Sequence, residues 1–324
     1  MNVELLTLSE VIDISGVEGD FSVKVRKSPR YVDMEKCIAC GLCAEKCPRK
    51  VLDEYNAGLG KRKAVYIKYG QTVPLKYAID PSSCLYLTRG KCRACEKFCP
   101  TGAIRFDDRE EIVSLHVGSL ILAPGYKPFD PSAYDTFGYG TIPDVVTGIE
   151  YERLLSAGGP HMGHLVRPSD GKEPRKIAWI QCVGSRELHR SGNSYCSSVC
   201  CMYAIKQTLV TAEHMPDGVE QAVFYMDIRS CGKEFERYYE GAKARGIRFV
   251  RARPHSVEPG PNAIGVRLSY LDAEGRSLVE DFDMAVLSVG MEVSRDAQTL
   301  AATACIELDD HRWSSSSMHA VAAK

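Results

Sequence analysis

Fourteen cysteines are the residues of this 324-residue chain best suited to chemistry, and they are grouped. Eight fall between Cys37 and Cys99, four between Cys182 and Cys201, and Cys231 and Cys305 stand alone. Two runs make up the first group: Cys37-x2-Cys40-x2-Cys43-x3-Cys47-Pro48 and Cys84-x7-Cys92-x2-Cys95-x3-Cys99-Pro100. Two-residue gaps on a tight loop bring three thiolates around one 4Fe–4S cube, while the fourth cysteine faces a second cube. The spacing therefore predicts one cluster on Cys37, Cys40, Cys43 and Cys99, and another on Cys84, Cys92, Cys95 and Cys47. The first gap of the second run is widened to seven residues, so Cys84 is its least regular ligand. Zinc ribbons carry two CxxC pairs instead, and disulfide frameworks belong to small secreted chains.

The second group is Gln181-Cys182-Val183-Gly184-Ser185-Arg186 followed by Tyr195-Cys196-Ser197-Ser198-Val199-Cys200-Cys201. Cys182 ends a predicted strand, and Cys200 and Cys201 open a predicted helix. In a dinucleotide-binding unit this turn carries a GxGxxG loop under a pyrophosphate. Here four cysteines occupy the place, and a helix N-terminus favours an anionic thiolate or cluster. A non-standard 4Fe–4S site of Cys182, Cys196, Cys200 and Cys201 is expected. Zinc, a redox disulfide or buried packing are the alternatives. Arg186 is expected either to bias this site electrostatically, to bind an anion or to form a surface charge pair. Cys231 and Cys305 read as packing residues, and His161 and His164 as solvated. No residue is assigned as acid, base or nucleophile.

These ligands need elements to position them. Glu10–Ser15 and Phe21–Lys27 read as strands around a Gly-rich turn, and 111–123 as a third strand of the same sheet. The cysteine-rich segment 31–108 is thus expected as a small domain inserted into a β-containing one. Residues 1–30 and 109–150 would form that outer domain, 151–310 a second domain with the later cysteines, and 311–324 an unstructured tail. Lys176–Gln181, Gln221–Asp227 and Ile247–Arg251 read as strands alternating with helices over 200–213 and 233–245. That alternation predicts an α/β fold with a parallel, Rossmann-like sheet. Strands over 266–271 and 282–290 read as one later sheet segment.

Composition excludes several classes. Forty-one Lys+Arg balance 42 Asp+Glu, which is not the charge of a nucleic-acid binder. No apolar run approaches the ~18 residues of a membrane span, and the first residues lack the pattern of a secretion signal, so a cytoplasmic location is expected. The stretch from Arg30 to Lys76 holds ten Lys or Arg against five Asp or Glu. Cations there would favour the reduced, more negative state of a cluster or steer an acidic carrier.

The segments CIACGLCAEKCP, DEYNAGLGKRKAVYIKYGQTVPLKYAID, IAWIQCVGSR, YCSSVCCMYAIK and FYMDIRSCGKEFERYY resemble the HdrA family, the A-subunits of heterodisulfide reductase and their relatives, from about residue 3 to about residue 310. The resemblance implies thioredoxin-reductase-like Rossmann domains with FAD, an inserted ferredoxin domain with two 4Fe–4S clusters, and a further cluster where NADPH would bind. It also implies partners: other subunits of the complex, ferredoxin, and a hydrogenase or formate dehydrogenase module. The family's GxGxxG FAD fingerprint has no counterpart in this sequence, and the match stops near Asp310. What remains of a flavin site is Ala123-Pro124-Gly125 and Gly290, so the resemblance does not by itself place FAD on this chain alone. The expected function is an iron–sulfur electron-transfer subunit of a heterodisulfide-reductase-like oxidoreductase. A self-contained flavoprotein disulfide reductase and a non-catalytic ferredoxin-module remnant are the alternatives.

Overall fold

The computed structural model describes residues 2–188, 192–215 and 217–315. The chain divides into two compact units: residues up to Lys127 together with those from Val293 onward, and Pro128–Glu292.

In the first unit, strands Ser9–Val17, Asp20–Lys27 and Glu111–Val117 form one antiparallel sheet with Asp20–Lys27 in the middle. Val17 pairs with Asp20 across a two-residue turn, and Gly19 takes φ +88° there, which glycine adopts freely. The third strand stops at Val117 instead of continuing to 123. Val117 pairs with Phe21, and after one more bond, from Gly19 N–H to Gly118 O at 3.2 Å, the middle strand has turned away.

Between the second and third strands the chain leaves the sheet and returns. The exit and return are tied together. The backbone N–H groups of Arg30 and Tyr31 both donate to Asp108 Oδ2, at 2.9 and 3.0 Å. Val32 bridges Ile104, and Asp33 N–H donates to Ala103 O at 2.7 Å. The segment so enclosed has three short helices, Leu42–Glu45, Leu85–Arg89 and Ala94–Lys97, and two small hairpins, Lys50–Leu52 with Lys61–Lys63 and Val65–Tyr66 with Ala78–Ile79. Its core is small: Val32, Ala64, Val65, Ile79, Ala103 and Ile104, filled out by five of the cysteines themselves. Helix Arg295–Thr303 follows later in the chain. Residues 311–315, expected to be unstructured, lie in a turn closed by Asp309 N–H to Trp313 O at 2.7 Å and a Leu308–Ser314 bridge. The rest of that expected tail lies outside the described residues.

The second unit is built on a five-stranded sheet in which every pairing is parallel. Its order is Arg248–Val250, Glu220–Phe224, Lys176–Val183, Met284–Val289, Val145–Thr147. The Lys176–Val183 strand is buried almost throughout, as its continuous apolar run requires of a central parallel strand. Helix Gly148–Leu155 starts on a capping box between Thr147 and Glu150. Helix Cys200–His214 packs beneath the sheet through Trp179 and Gln207, whose side chains bond at 3.1 Å.

Strands 266–271 and 284–289 do not share a sheet. Strand Val266–Leu271 is the centre of a separate antiparallel sheet with Ser256–Pro259 and Ser277–Phe282. Asp283 makes the switch: its carboxylate accepts from the N–H groups of Arg175 and Lys176, at 2.6 and 2.9 Å, so the next strand enters beside Lys176–Val183. Segment 145–147 likewise joins the parallel sheet and not the N-terminal meander, because its partner is Ala285–Leu287. Among the described residues no helix is long and apolar enough to cross a membrane.

Candidate metal centres

The two cysteine runs of the first unit interleave. Cys37, Cys40, Cys43 and Cys99 line one cavity, together with Tyr77 and Ile104. Cys47, Cys84, Cys92 and Cys95 line another, with Arg49, Tyr86 and Phe106. Each cavity thus takes three thiols from one run and the fourth from the other. Local backbone explains the reach of the loops. Ala39 and Gly41 have φ of +56° and +84°, and Cys92 +80°, so the chain curls around each cavity before the short helix begins. A Cβ at Gly41 would stand 3.2 Å from the Tyr77 hydroxyl, so this position is held to glycine by both conformation and space. The seven-residue gap after Cys84 is taken up by helix Leu85–Arg89, which leaves Cys84 buried beside Cys95.

Burial pushes the Cys43 thiol up to about 11 and the Cys95 thiol up to about 12, and neighbouring cysteines add to it. Buried thiols of this kind stay protonated in the free protein and release their protons when a metal binds the sulfur. At Cys99 burial is outweighed by donors: Ala103 N–H reaches its Sγ at 3.2 Å and the Thr101 hydroxyl lies 3.6 Å away, holding it below the ordinary thiol value. Cys40 and Cys92 are the exposed members of their sets. Two lysines of the intervening segment point inward. Lys76 Nζ donates to the carbonyl of Cys37 at 2.6 Å, and Lys63 Nζ donates to the carbonyl of Cys47. The sequence shows these lysines only as part of a basic stretch.

The second unit gathers the later cysteines. Cys182 takes φ +62° where the register of its strand slips between Ile180 and Val183, so this bulge turns it out of the ladder. Cys200 and Cys201 sit in the first turn of their helix, and Cys182, Cys200 and Cys201 are all buried. The side chains of Cys182, Cys200 and Cys201 interact closely, which holds Cys200 low and the other two high, with burial adding to theirs. Cys196 is half-buried, takes the Ser198 N–H at 3.3 Å and interacts electrostatically with Cys182. The four thiols thus occupy one place, at the carboxyl end of the sheet between strands 176–183 and 284–289, where the strand order reverses. Such a switch point is where parallel sheets open a crevice. Arg186 both pairs with Asp227 Oδ1, at 2.7 Å, and interacts with Cys182, while Arg229 reaches the same oxygen at 3.4 Å. Among the described residues no three Cys, His, Asp or Glu side chains are arranged to hold a single ion.

The remaining expected residues fall elsewhere. Ala123, Pro124 and Gly125 are exposed in an irregular segment of the first unit, and Gly290 is buried in the second. A Cβ at Gly290 would meet Ser185 Oγ at 2.3 Å, so close packing already accounts for that glycine. Cys231 and Cys305, expected as packing residues, are exposed: Cys231 lies in the irregular segment before helix Phe235–Ala244, and Cys305 follows the last turn of helix Arg295–Thr303. His161 and His164 are not buried.

Residues 30–53 match the family model of the 4Fe-4S binding domain, which spans the first cysteine run. The chain is 42% identical over 309 residues to the iron–sulfur A-subunit of the CoB–CoM heterodisulfide reductase of Methanocaldococcus jannaschii, covering 95% of this chain and 46% of that protein. It is 42% identical over 302 residues to the A-subunit of the H2/formate:CoB–CoM heterodisulfide,ferredoxin reductase of Methanococcus maripaludis, covering 93% and 45%. Over nearly its whole length the chain is thus similar to part of the A-subunit of heterodisulfide reductase. A third relative, the A-subunit of the ferredoxin:CoB–CoM heterodisulfide reductase of Methanosarcina mazei, is 38% identical over 298 residues, covering 92% of this chain and 37% of its own. The chain therefore spans less than half the length of these relatives.

Proposed function

We propose that the chain is the iron–sulfur electron-relay portion of a heterodisulfide-reductase-type oxidoreductase. The observation that carries this is the interleaving of the two runs, which puts Cys37, Cys40, Cys43 and Cys99 around one cavity and Cys47, Cys84, Cys92 and Cys95 around the other. Each set would hold one 4Fe–4S cluster, and Cys182, Cys196, Cys200 and Cys201 a third. Bound clusters supply one-electron transfer without bond making. The protein's part is to bury the thiolates, to leave Cys40 and Cys92 at the surface where an electron can enter or leave, and to bias each centre by fixed charge.

Under this reading segment 31–108 is a ferredoxin-like insert into the N-terminal meander, and the parallel sheet of 128–292 is a Rossmann-like unit whose crevice holds cysteines where a dinucleotide would lie. The relatives' names point to hydrogen, formate or ferredoxin as electron sources and to a CoB–CoM heterodisulfide as acceptor, with the other subunits of such a complex as partners. No step is assigned to a flavin, because Ala123–Gly125 are exposed and Gly290 is packed on Ser185.

The test is to purify the chain anaerobically, reconstitute it, and count iron, acid-labile sulfide and flavin per chain. About twelve irons are expected for three cubes. About eight would overturn the third site, and four or fewer would overturn the relay reading.

A further inference from the structure

We propose that Lys63 and Lys76 are positioning residues for two separate redox centres: each fixes one uncompensated positive charge on the cysteine shell of one cluster, Lys76 on the Cys37 set and Lys63 on the Cys47 set, and raises that cluster's reduction potential. The inference rests on reading those cysteines as two cluster sites.

Both lysines come from the segment between the two cysteine runs, and both are half-buried. Their ammonium groups reach over from different hairpin strands or turns to the carbonyl oxygen of a cysteine, Lys76 to Cys37 at 2.6 Å and Lys63 to Cys47. The two receiving cysteines line different cavities. The neighbouring cation behaves otherwise. Arg62 is neutralised by Glu54 and Asp80, at 2.8 and 3.0 Å. Neither Lys63 nor Lys76 forms an ion pair with a carboxylate among the described residues. A half-buried ammonium satisfied only by a carbonyl keeps its whole charge, and desolvation makes that arrangement costly unless an anion lies close. The cysteine set to which each carbonyl belongs would supply that anion once it holds a cluster.

The direction of the effect follows from charge. A reduced cluster carries one more negative charge than an oxidised one, so a fixed cation nearby stabilises the reduced state and raises the potential. The hydrogen bond to the ligand's own carbonyl matters because it fixes the ammonium relative to the sulfur. A mobile surface lysine would be screened by solvent and salt within about 10 Å. Because each lysine serves a different set, the segment can place the two potentials apart without altering any ligand.

The test uses the full chain, reconstituted anaerobically, with the iron count and an EPR-monitored redox titration that resolves each cluster. Lys63→Gln and Lys76→Gln are each expected to keep their iron and to move one cluster's midpoint to a more negative potential. The two variants should move different clusters, and Lys63→Arg and Lys76→Arg should return most of the shift. If a Gln variant loses iron, Lys63→Met or Lys76→Met repeats the measurement with an unbranched apolar stem. Unchanged midpoints with full iron overturn the inference, as do equal shifts of both clusters by either variant. Iron loss in all four neutral variants also overturns it, in favour of a bracing role. A wild-type chain that holds four irons or fewer instead overturns the two-cluster reading on which it rests.

Discussion

Gly184→Ala tests whether the turn after Cys182 builds the third site. Gly184 stands at φ +73°, and a Cβ there would lie 2.2 Å from Cδ1 and 2.3 Å from Cγ of Phe129. That ring is buried and boxed in by Tyr134, centroid to centroid 5.4 Å, so it cannot swing aside freely. The left-handed conformation costs an alanine roughly 1–2 kcal/mol, and forcing a methyl against a packed ring costs roughly 1–3 kcal/mol. Together about 3 kcal/mol is expected, which in a unit of this size lowers the melting midpoint by roughly 6–12 °C. The assay is thermal unfolding of the apoprotein, followed by the fluorescence of the fully buried Trp179 in a Trp313→Phe background. Adding Phe129→Leu should relieve the steric part and leave about 1–2 kcal/mol, once the cost of Phe129→Leu alone is subtracted in a double-mutant cycle. Because Gly184 lies two residues past Cys182, the reconstituted variant should also lose irons from the Cys182 set first. A midpoint within about 1 °C of wild type, well below the shift the αL strain alone implies, would refute the reasoning, as would no relief from Phe129→Leu.

Three further outcomes follow from the same geometry. Cys182→Ser should reduce the iron count from about twelve to about eight per chain and remove one cluster signal, leaving the two of the first unit. Gln207→Ala strands the buried Trp179 indole N–H and the Gly148 carbonyl, bonded at 3.1 and 3.0 Å, and should lower stability by about 2–4 kcal/mol in denaturant titration. At Glu280 burial opposes ionisation, but Lys176, Arg248 and the Tyr270 hydroxyl, at 2.9, 2.6 and 3.0 Å, hold the carboxyl below its usual range. A depressed folded value stabilises above the ordinary glutamate range and is lost as pH falls through the folded one. Glu280→Gln should therefore cost roughly 1–2 kcal/mol at neutral pH, and the gap should close in acid when apoprotein titrations are compared.

Much of the chemistry was legible in the residues themselves. The spacing of the two runs predicts a crossed grouping of thiols, and the same groups line the two cavities; in the first run the CxxCxxC loop is too short to reach past one centre, whereas Cys84 depends on the helix that fills its wider gap. The apolar run Lys176–Val183 was legible as a buried strand, and Cys200–His214 as a helix, since both patterns are local. Strands 256–259 and 277–282 were missed: the latter is largely exposed, so its sequence lacks a clean alternation. The two lone cysteines read as core residues because their type favours burial, yet both stand where the chain runs across the surface.

By itself the sequence determined which atoms can ligate, where the buried strands run and that the cysteine-rich segment leaves one sheet and returns to it. Only the tertiary structure decided that strands 266–271 and 284–289 part company at Asp283, that Gly290 is held small by Ser185, and that Lys63 and Lys76 turn inward onto cysteine carbonyls. The physical reason is one of range. Periodicity and ligand spacing act over a few residues, whereas sheet membership and the placing of a charge depend on which distant backbone group is left to accept a hydrogen bond.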